Sequence, residues 1–347
     1  MNNLVKIGIL LLVVVSCSKT PDYPNIDYSL SGGVFVVNEG NFRSGNGSLS
    51  FYSYDSTKIY NDLFYSVNGR PLGDVPNSMA IKGDKAYIIV NNSGKIEVMD
   101  QSTLKSTATI SGLISPRNIS FVNDYKAYVS SLYSDSVIVI NLIDNSIAGY
   151  INLRRSSESI AVAGNKAFIS NWAGGNEIMV INTFYDQVVD SIEVGIEPES
   201  MAFDRNGMLW VLCNGGWTRQ NYAELIEINP VSNSIEQKIV FPSKEASPTC
   251  LKIDVFGEIL YYLDNGVREM DIKSTDLPSA PFIIPESGQY FYKIGINPLN
   301  NDILVTDAVD FVQQGYLLLY DNTGKFISKQ KAGIIPGSMC FKLSINS

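Results

Sequence analysis

Asn38, Glu39, Asn41, Phe42 and Arg43 crowd into the ten residues NEGNFRSGNG, between two segments that read as β-strands. A hairpin needs only two residues there. Amide, guanidinium and ring side by side can hydrogen-bond and stack on a polar ligand with a flat face. The mixture recurs down the chain: Asn91 in NNSGK, Tyr133 in SLYSDS, Asn171 and Trp172 in NWAGGNE. Asn214, Trp217, Arg219 and Tyr222 follow in NGGWTRQNYAE, and Asp307 and Phe311 in DAVDFVQQGY. Arg70 and Arg117 stand in NGRPLGDVP and GLISPRN. Singly, each has an ordinary explanation, since Asn and Gly suit turns and an aromatic at a loop tip can pack on its neighbour. Two of three tryptophans in loops of one kind point to a partner. Together the residues suit a large, flat, polar-rimmed ligand. A corrinoid and an oligosaccharide both meet that description.

The chain has no histidine. That removes Ser-His-Asp and Cys-His catalysis, His-ligated zinc or iron, and a histidine pH switch. Glu39, Asp74, Glu158, Glu199, Asp307 and Asp310 are oxygen donors of the kind calcium takes, but no Asp-x-Asp-x-Asp-Gly loop occurs. No G-x-x-x-x-G-K-[ST] run occurs either, so phosphate-loop chemistry has no support. A net charge of −9 repels phosphate backbones and argues against nucleic acid. We expect a protein without catalytic residues, resident cofactor or metal.

The elements that must position these residues repeat. GVFVVNEG, KAYIIVNN, KAYVSSLY, KAFISNWA, MLWVLCNG, ILYYLDNG and DILVTDAV are seven strand-like segments, most with an aromatic at a fixed place. Each precedes a second strand, such as KIEVMDQST or SVIVINLID, with the alternation of a half-buried strand. A small apolar segment stands before most of them: SMAIK, NISFV, SIAVA, SMAFD, CLKID, YKIGI. The first copy lacks one, and SMCFK near the C-terminus has no strands after it. A closed ring explains both. The chain is therefore read as an all-β, seven-bladed β-propeller of four-stranded blades, closed by the C-terminal strand joining the N-terminal blade. The recurring aromatics Phe35, Tyr87, Tyr128, Phe168, Trp210 and Tyr261 read as core between blades. The loops that carry these amides, arginines and rings then share one face.

At the N-terminus, Lys6, the apolar run IGILLLVVV and VVSC ending at Cys17 resemble a bacterial lipoprotein signal. Residues 1–16 read as signal peptide and 17–31 as lipidated Cys17 plus tether, leaving 32–347 for the propeller. Such acyl anchoring leaves the remaining chain soluble. Cys213, Cys250 and Cys340 read as free thiols, since three cannot all pair.

The P-x-S-M-A segments, the KAYV strands and the VIVINL strands resemble the YncE-like seven-bladed propellers over nearly the whole mature chain. The opening GGVFVVNEGNF…GNGSLSFY is similar to the start of lipid-anchored propellers of Bacteroidetes, including the BtuG-type cobalamin-binding surface proteins. The resemblance implies a cell-surface, outer-membrane lipoprotein that captures cobalamin or another corrinoid and passes it to a TonB-dependent transporter. A glycan-binding or adhesive propeller and a metal-dependent, lactonase-like hydrolase are the alternatives.

Overall fold

The computed structural model describes residues 30–343. The expected signal peptide and Cys17 lie outside them, as does all of the expected tether but Leu30 and Ser31. Seven antiparallel sheets form, and each inner strand touches the inner strands of the blades on either side, which closes a ring. The inner strands are Pro336–Lys342, Pro76–Lys82, Pro116–Phe121, Ile160–Ala163, Pro198–Phe203, Thr249–Ile253 and Phe291–Ile296, for blades 1 to 7 in order. Blade 1 pairs Pro336–Lys342 with Gly33–Asn38, so the C-terminal strand completes the N-terminal sheet. The chain is a seven-bladed β-propeller, as the repeat predicts.

The second strands run Gly33–Asn38, Lys85–Val90, Lys126–Ser131, Lys166–Ser170, Leu209–Cys213, Ile259–Leu263 and Ile303–Asp307. Their alternating side chains fill the seams between blades. Tyr87 and Ile89 of blade 2 pack with Ala127 and Val129 of blade 3, and Trp210 of blade 5 packs with Leu260 and Tyr262 of blade 6. Phe35, Tyr87, Tyr128, Phe168, Trp210 and Tyr261 are all buried. Trp210 also donates its indole N–H to Asp204 at 3.2 Å, so its polar atom is satisfied.

Two features depart from the repeat. Blade 6 has three strands rather than the expected four. Pro278, Pro281 and Pro285 occupy the stretch after Val267–Asp271, and proline has no N–H for a ladder. One isolated bridge, Val267 to Ile283, stands in for the outer strand. A short helix, Leu63–Asn68, fills the link from blade 1 to blade 2 and ends on Gly69 at φ 64°.

Candidate functional site

The loops between second and third strands, and the links between blades, leave on one face, here called the loop face. At its centre the inner strands begin, and six of the seven carry a register shift at that end. The shift lets an extra residue bulge out. Asn77, Glu199, Tyr292 and Gly337 are such residues, and Arg117 lies within the shifted stretch of blade 3. The residues just before four of the inner strands share a further constraint. Val75, Ser115, Glu197 and Ile335, each directly before a proline, hold φ of 53°, 42°, 54° and 51°. Left-handed backbone is costly for non-glycine residues, so four such corners around one mouth make it rigid.

Neighbouring blades are clasped there. Asn77 and Ser78 donate to the Arg117 carbonyl at 2.8 and 2.6 Å, and Asn118 and Ser130 donate to that of Glu158 at 3.0 and 2.5 Å. Asn77 and Ser78 thus tie blade 2 to blade 3, and Asn118 and Ser130 tie blade 3 to blade 4.

A charged cluster rests on this frame. Arg117 binds Glu158 through two hydrogen bonds, 2.7 and 2.9 Å long. Tyr292 donates to Glu39 at 2.9 Å. Glu199 accepts from the Cys250 N–H at 2.8 Å and lies 3.9 Å from the Lys293 ammonium. Gly337 makes room: a Cβ there would sit 2.3 Å from the Glu39 carboxylate. Burial raises the Glu39 pKa, and Lys293, the Tyr292 hydroxyl and Arg117 offset only part of that rise. For Lys293 burial works downward, but Tyr292, Glu199, Cys250 and Glu39 outweigh it and raise the value. The mouth is an alternation of donors and acceptors whose charges hold one another.

Aromatic side chains surround the cluster. Phe311 packs edge-on against Tyr290 and Tyr292 at 5.0 and 5.3 Å, and its carbonyl accepts from Asn41 at 3.2 Å. The Arg117 guanidinium lies 5.9 Å from the Trp172 ring, whose indole N–H has no hydrogen-bond partner. Farther out, Phe42, Tyr133 and Trp217 are 65%, 78% and 89% exposed. Arg43 stacks on Phe42 at 5.1 Å, and its backbone is fixed by Asp74 at 3.1 Å. Arg219 is tied to the Glu245 side chain at 3.3 Å, which fastens the loop that presents Trp217. That loop and Gly195–Ile196 border a polar cavity of about 300 Å³, which Tyr222 and Lys244 line.

Of the residues singled out in the sequence, Asn41, Arg117, Trp172 and Phe311 meet at the mouth, and Phe42, Arg43, Tyr133, Trp217 and Arg219 stand on the rim. The others are engaged within the protein. Asn38 is fully buried, donating to Ser50 at 2.8 Å and accepting from Gly333 at 3.1 Å. Arg70 pairs with buried Glu97 at 2.6 Å, away from the mouth. Asn91 bridges to Ser115 and the Pro116 carbonyl, and Asn171 accepts from Ser156. Asn214 caps the Gly216 N–H, and Asp307, 1% exposed, accepts from Tyr290 and Val309. A turn asparagine reads alike in sequence whether it meets ligand or backbone. Glu39, Glu158 and Glu199, weighed above for calcium, instead take protein donors. Among the described residues no three His, Cys, Asp or Glu side chains are grouped to hold a metal ion. Tyr292 and Lys293 carry no such mark in the sequence, where YKIGI reads as an ordinary inner strand.

Seven radial sheets around a polar, aromatic-rimmed mouth define a seven-bladed β-propeller. Over residues 32–333 the chain matches the family described as "Domain of unknown function (DUF5074)", and it belongs to that family. Its fold is similar to three solved structures. A quinonprotein alcohol dehydrogenase-like protein from Bacteroides thetaiotaomicron has a TM-score of 0.71 at 16% identity, with 90% of this chain and 78% of that one covered. The periplasmic gluconolactonase of Pseudomonas aeruginosa has 0.68 at 14%, with 90% and 100% covered. The hydrazine synthase of Kuenenia stuttgartiensis has 0.66 at 15%, with 76% and 89% covered. At such identities the likeness shows the fold alone. No curated protein matches the sequence.

Proposed function

We propose that this protein is a non-enzymatic lipoprotein of the outer membrane, exposed on the cell surface, that captures a corrinoid such as cobalamin on its loop face. It then delivers the ligand to a TonB-dependent transporter. The observation that carries the reading is the pairing of a rigid charged mouth with a rim of exposed rings, Phe42, Tyr133 and Trp217. A corrin presents a broad apolar face edged with amides. Rings on the rim match the face, and the arginine and carboxylate groups of the mouth match the amides. Because strained corners and clasped blades fix the mouth beforehand, capture orders little and leaves more of the contact energy as affinity. The opening GGVFVVNEGNF, similar to that of the BtuG-type proteins, supports the same ligand class.

Isothermal titration of cobalamin into the purified protein tests the reading. Binding is expected, weakened about tenfold or more by Trp217→Ala, the size typical of losing an aromatic anchor. Absence of heat with every corrinoid at micromolar protein overturns it. A hit on a glycan array would then favour the oligosaccharide alternative, which the same aromatic rim suits.

A further inference from the structure

The opposite face carries a pattern that the loop-face ligand does not use. There the third strand of each blade turns into the fourth, or in blade 6 into the proline-bearing stretch that replaces it, and six blades build the turn alike. The residue ending the third strand, or in blade 7 the one just after it, accepts through its side-chain oxygen the N–H of the residue two positions on. In blades 2, 6 and 7 the acceptor is aspartate and the tip is polar: Asp100 with Ser102, Asp271 with Lys273, Asp321 with Thr323, at 2.9, 2.8 and 2.9 Å. In blades 3, 4 and 5 the acceptor is asparagine and the tip apolar: Asn141 with Ile143, Asn182 with Phe184, Asn229 with Val231, each at 3.0 Å. These three tips are 77%, 80% and 85% exposed. One turn geometry thus serves two chemistries, apolar in blades 3 to 5 and polar in blades 2, 6 and 7, while blade 6 exposes Val255 and Phe256 in its first turn on the same face.

Two of the apolar tips are also clamped by lysines of the preceding blade. Lys126 of blade 3 donates to the Thr183 carbonyl at 2.6 Å and pairs with Asp186 at 2.7 Å, clamping the blade 4 turn. Lys166 of blade 4 donates to the carbonyls of Pro230 and Val231 at 2.8 and 3.0 Å, clamping the blade 5 turn. Tyr185 packs on Phe184, ring centres 4.9 Å apart. Three adjacent apolar tips with neutral caps, on a chain of net charge −9, make a surface suited to leaving water.

The position of the N-terminal end says what covers it. Gly32 accepts from Tyr54, and Ser31 hydrogen-bonds Asp55, both in the blade 1 turn on this same face. From Leu30 the segment back to Cys17 reaches at most about 45 Å at full extension. This face is therefore the nearer of the two to an acylated Cys17. In a ring of seven, blade 1 lies across from blades 4 and 5.

We propose that the arc formed by Ile143, Phe184 and Val231 seats on the lipid bilayer. This rests on the lipid-anchor part of the reading above, and on nothing about the ligand. Anchor on one side and apolar tips on the other give two contacts, which lay the propeller flat with the loop face open to the medium for capture. Delivery to a membrane transporter then requires the tips to lift while the anchor holds. Aromatic and aliphatic tips suit the interfacial zone of a bilayer.

The test uses the full mature chain, with Cys17 acylation verified by mass, in phosphatidylcholine vesicles carrying brominated acyl chains. The indole introduced by Phe184→Trp is expected to be quenched, and wild type, whose exposed Trp217 lies on the loop face, is not. Equal quenching of both, or of neither, overturns the proposal. So does a dimer of the unlipidated chain that Ile143→Ser, Phe184→Ser and Val231→Ser together make monomeric, since a second copy would then be the occupant. Cobalamin titration of these variants is expected to match wild type, so loss of the membrane contact and loss of the ligand reading remain separate results.

Discussion

Arg117 lays its guanidinium along both oxygens of Glu158, joining the inner strand of blade 3 to the link that opens blade 4. The pair crosses the seam at the channel mouth, with side chains 19% and 11% exposed. It is placed to hold two blades in register as well as to meet a ligand.

Arg117→Ala leaves Glu158 without its partner. Breaking a buried pair costs about 3–5 kcal/mol, and the access of the mouth to water brings the expectation to about 2 kcal/mol. Arg117→Lys is expected to recover only part, since an ammonium cannot form the fork. Denaturant unfolding of the three proteins measures both, and equal stability of all three contradicts the assignment.

Gly337→Ala places a methyl group against the Glu39 carboxylate. Overpacking of this kind costs about 1–3 kcal/mol. Thermal unfolding is expected to show the loss, and the double variant Gly337→Ala with Glu39→Ala is expected to relieve most of it.

Glu97 and Glu39 make opposite pH predictions. Burial raises the Glu97 pKa, but hydrogen bonds from Arg70, Ser106 and Lys95 outweigh it, and the net shift is downward. Its stabilisation is present above the ordinary carboxylate value of 4.5 and lost as pH falls through the lower folded value. Glu97→Gln is expected to flatten that acid limb. The Glu39 pKa is raised, so its stabilisation is complete below 4.5 and lost as pH rises through the folded value. Glu39→Gln is expected to gain on wild type as pH rises from 4.5 to neutrality. Urea midpoints across pH 3 to 8 check both signs.

Trp210 fills the seam between blades 5 and 6 and satisfies its indole on Asp204. Trp210→Ala is expected to cost about 3–5 kcal/mol, the range for a fully buried large aromatic. An urea midpoint close to wild type would show that the seam is not where the core energy lies.

Much of this architecture is legible in the chain itself. Alternation and a fixed aromatic mark the second strands, and SMCFK without followers announces the closure. Blade 6 misleads because its missing outer strand depends on Pro278, Pro281 and Pro285 in a stretch that still looks apolar. The mouth is harder to read. Glu39, Arg117, Glu158, Glu199 and Lys293 lie up to 254 positions apart in sequence and meet only because ring closure brings the bulged strand starts that hold Arg117 and Glu199 beside Lys293 and the loop residues Glu39 and Glu158. Asn38 shows the converse: it looks like a ligand residue and is sealed inside by Ser50 and Gly333.

The central claim is that the loop face is a ligand site, and a paired cobalamin titration tests it most directly. Wild type, Trp217→Ala on the loop face and Val231→Ser on the opposite face are compared under one buffer. Tight binding by wild type and Val231→Ser, with affinity about tenfold or more weaker in Trp217→Ala, is the predicted result. No binding by wild type, or equal binding by all three, contradicts it.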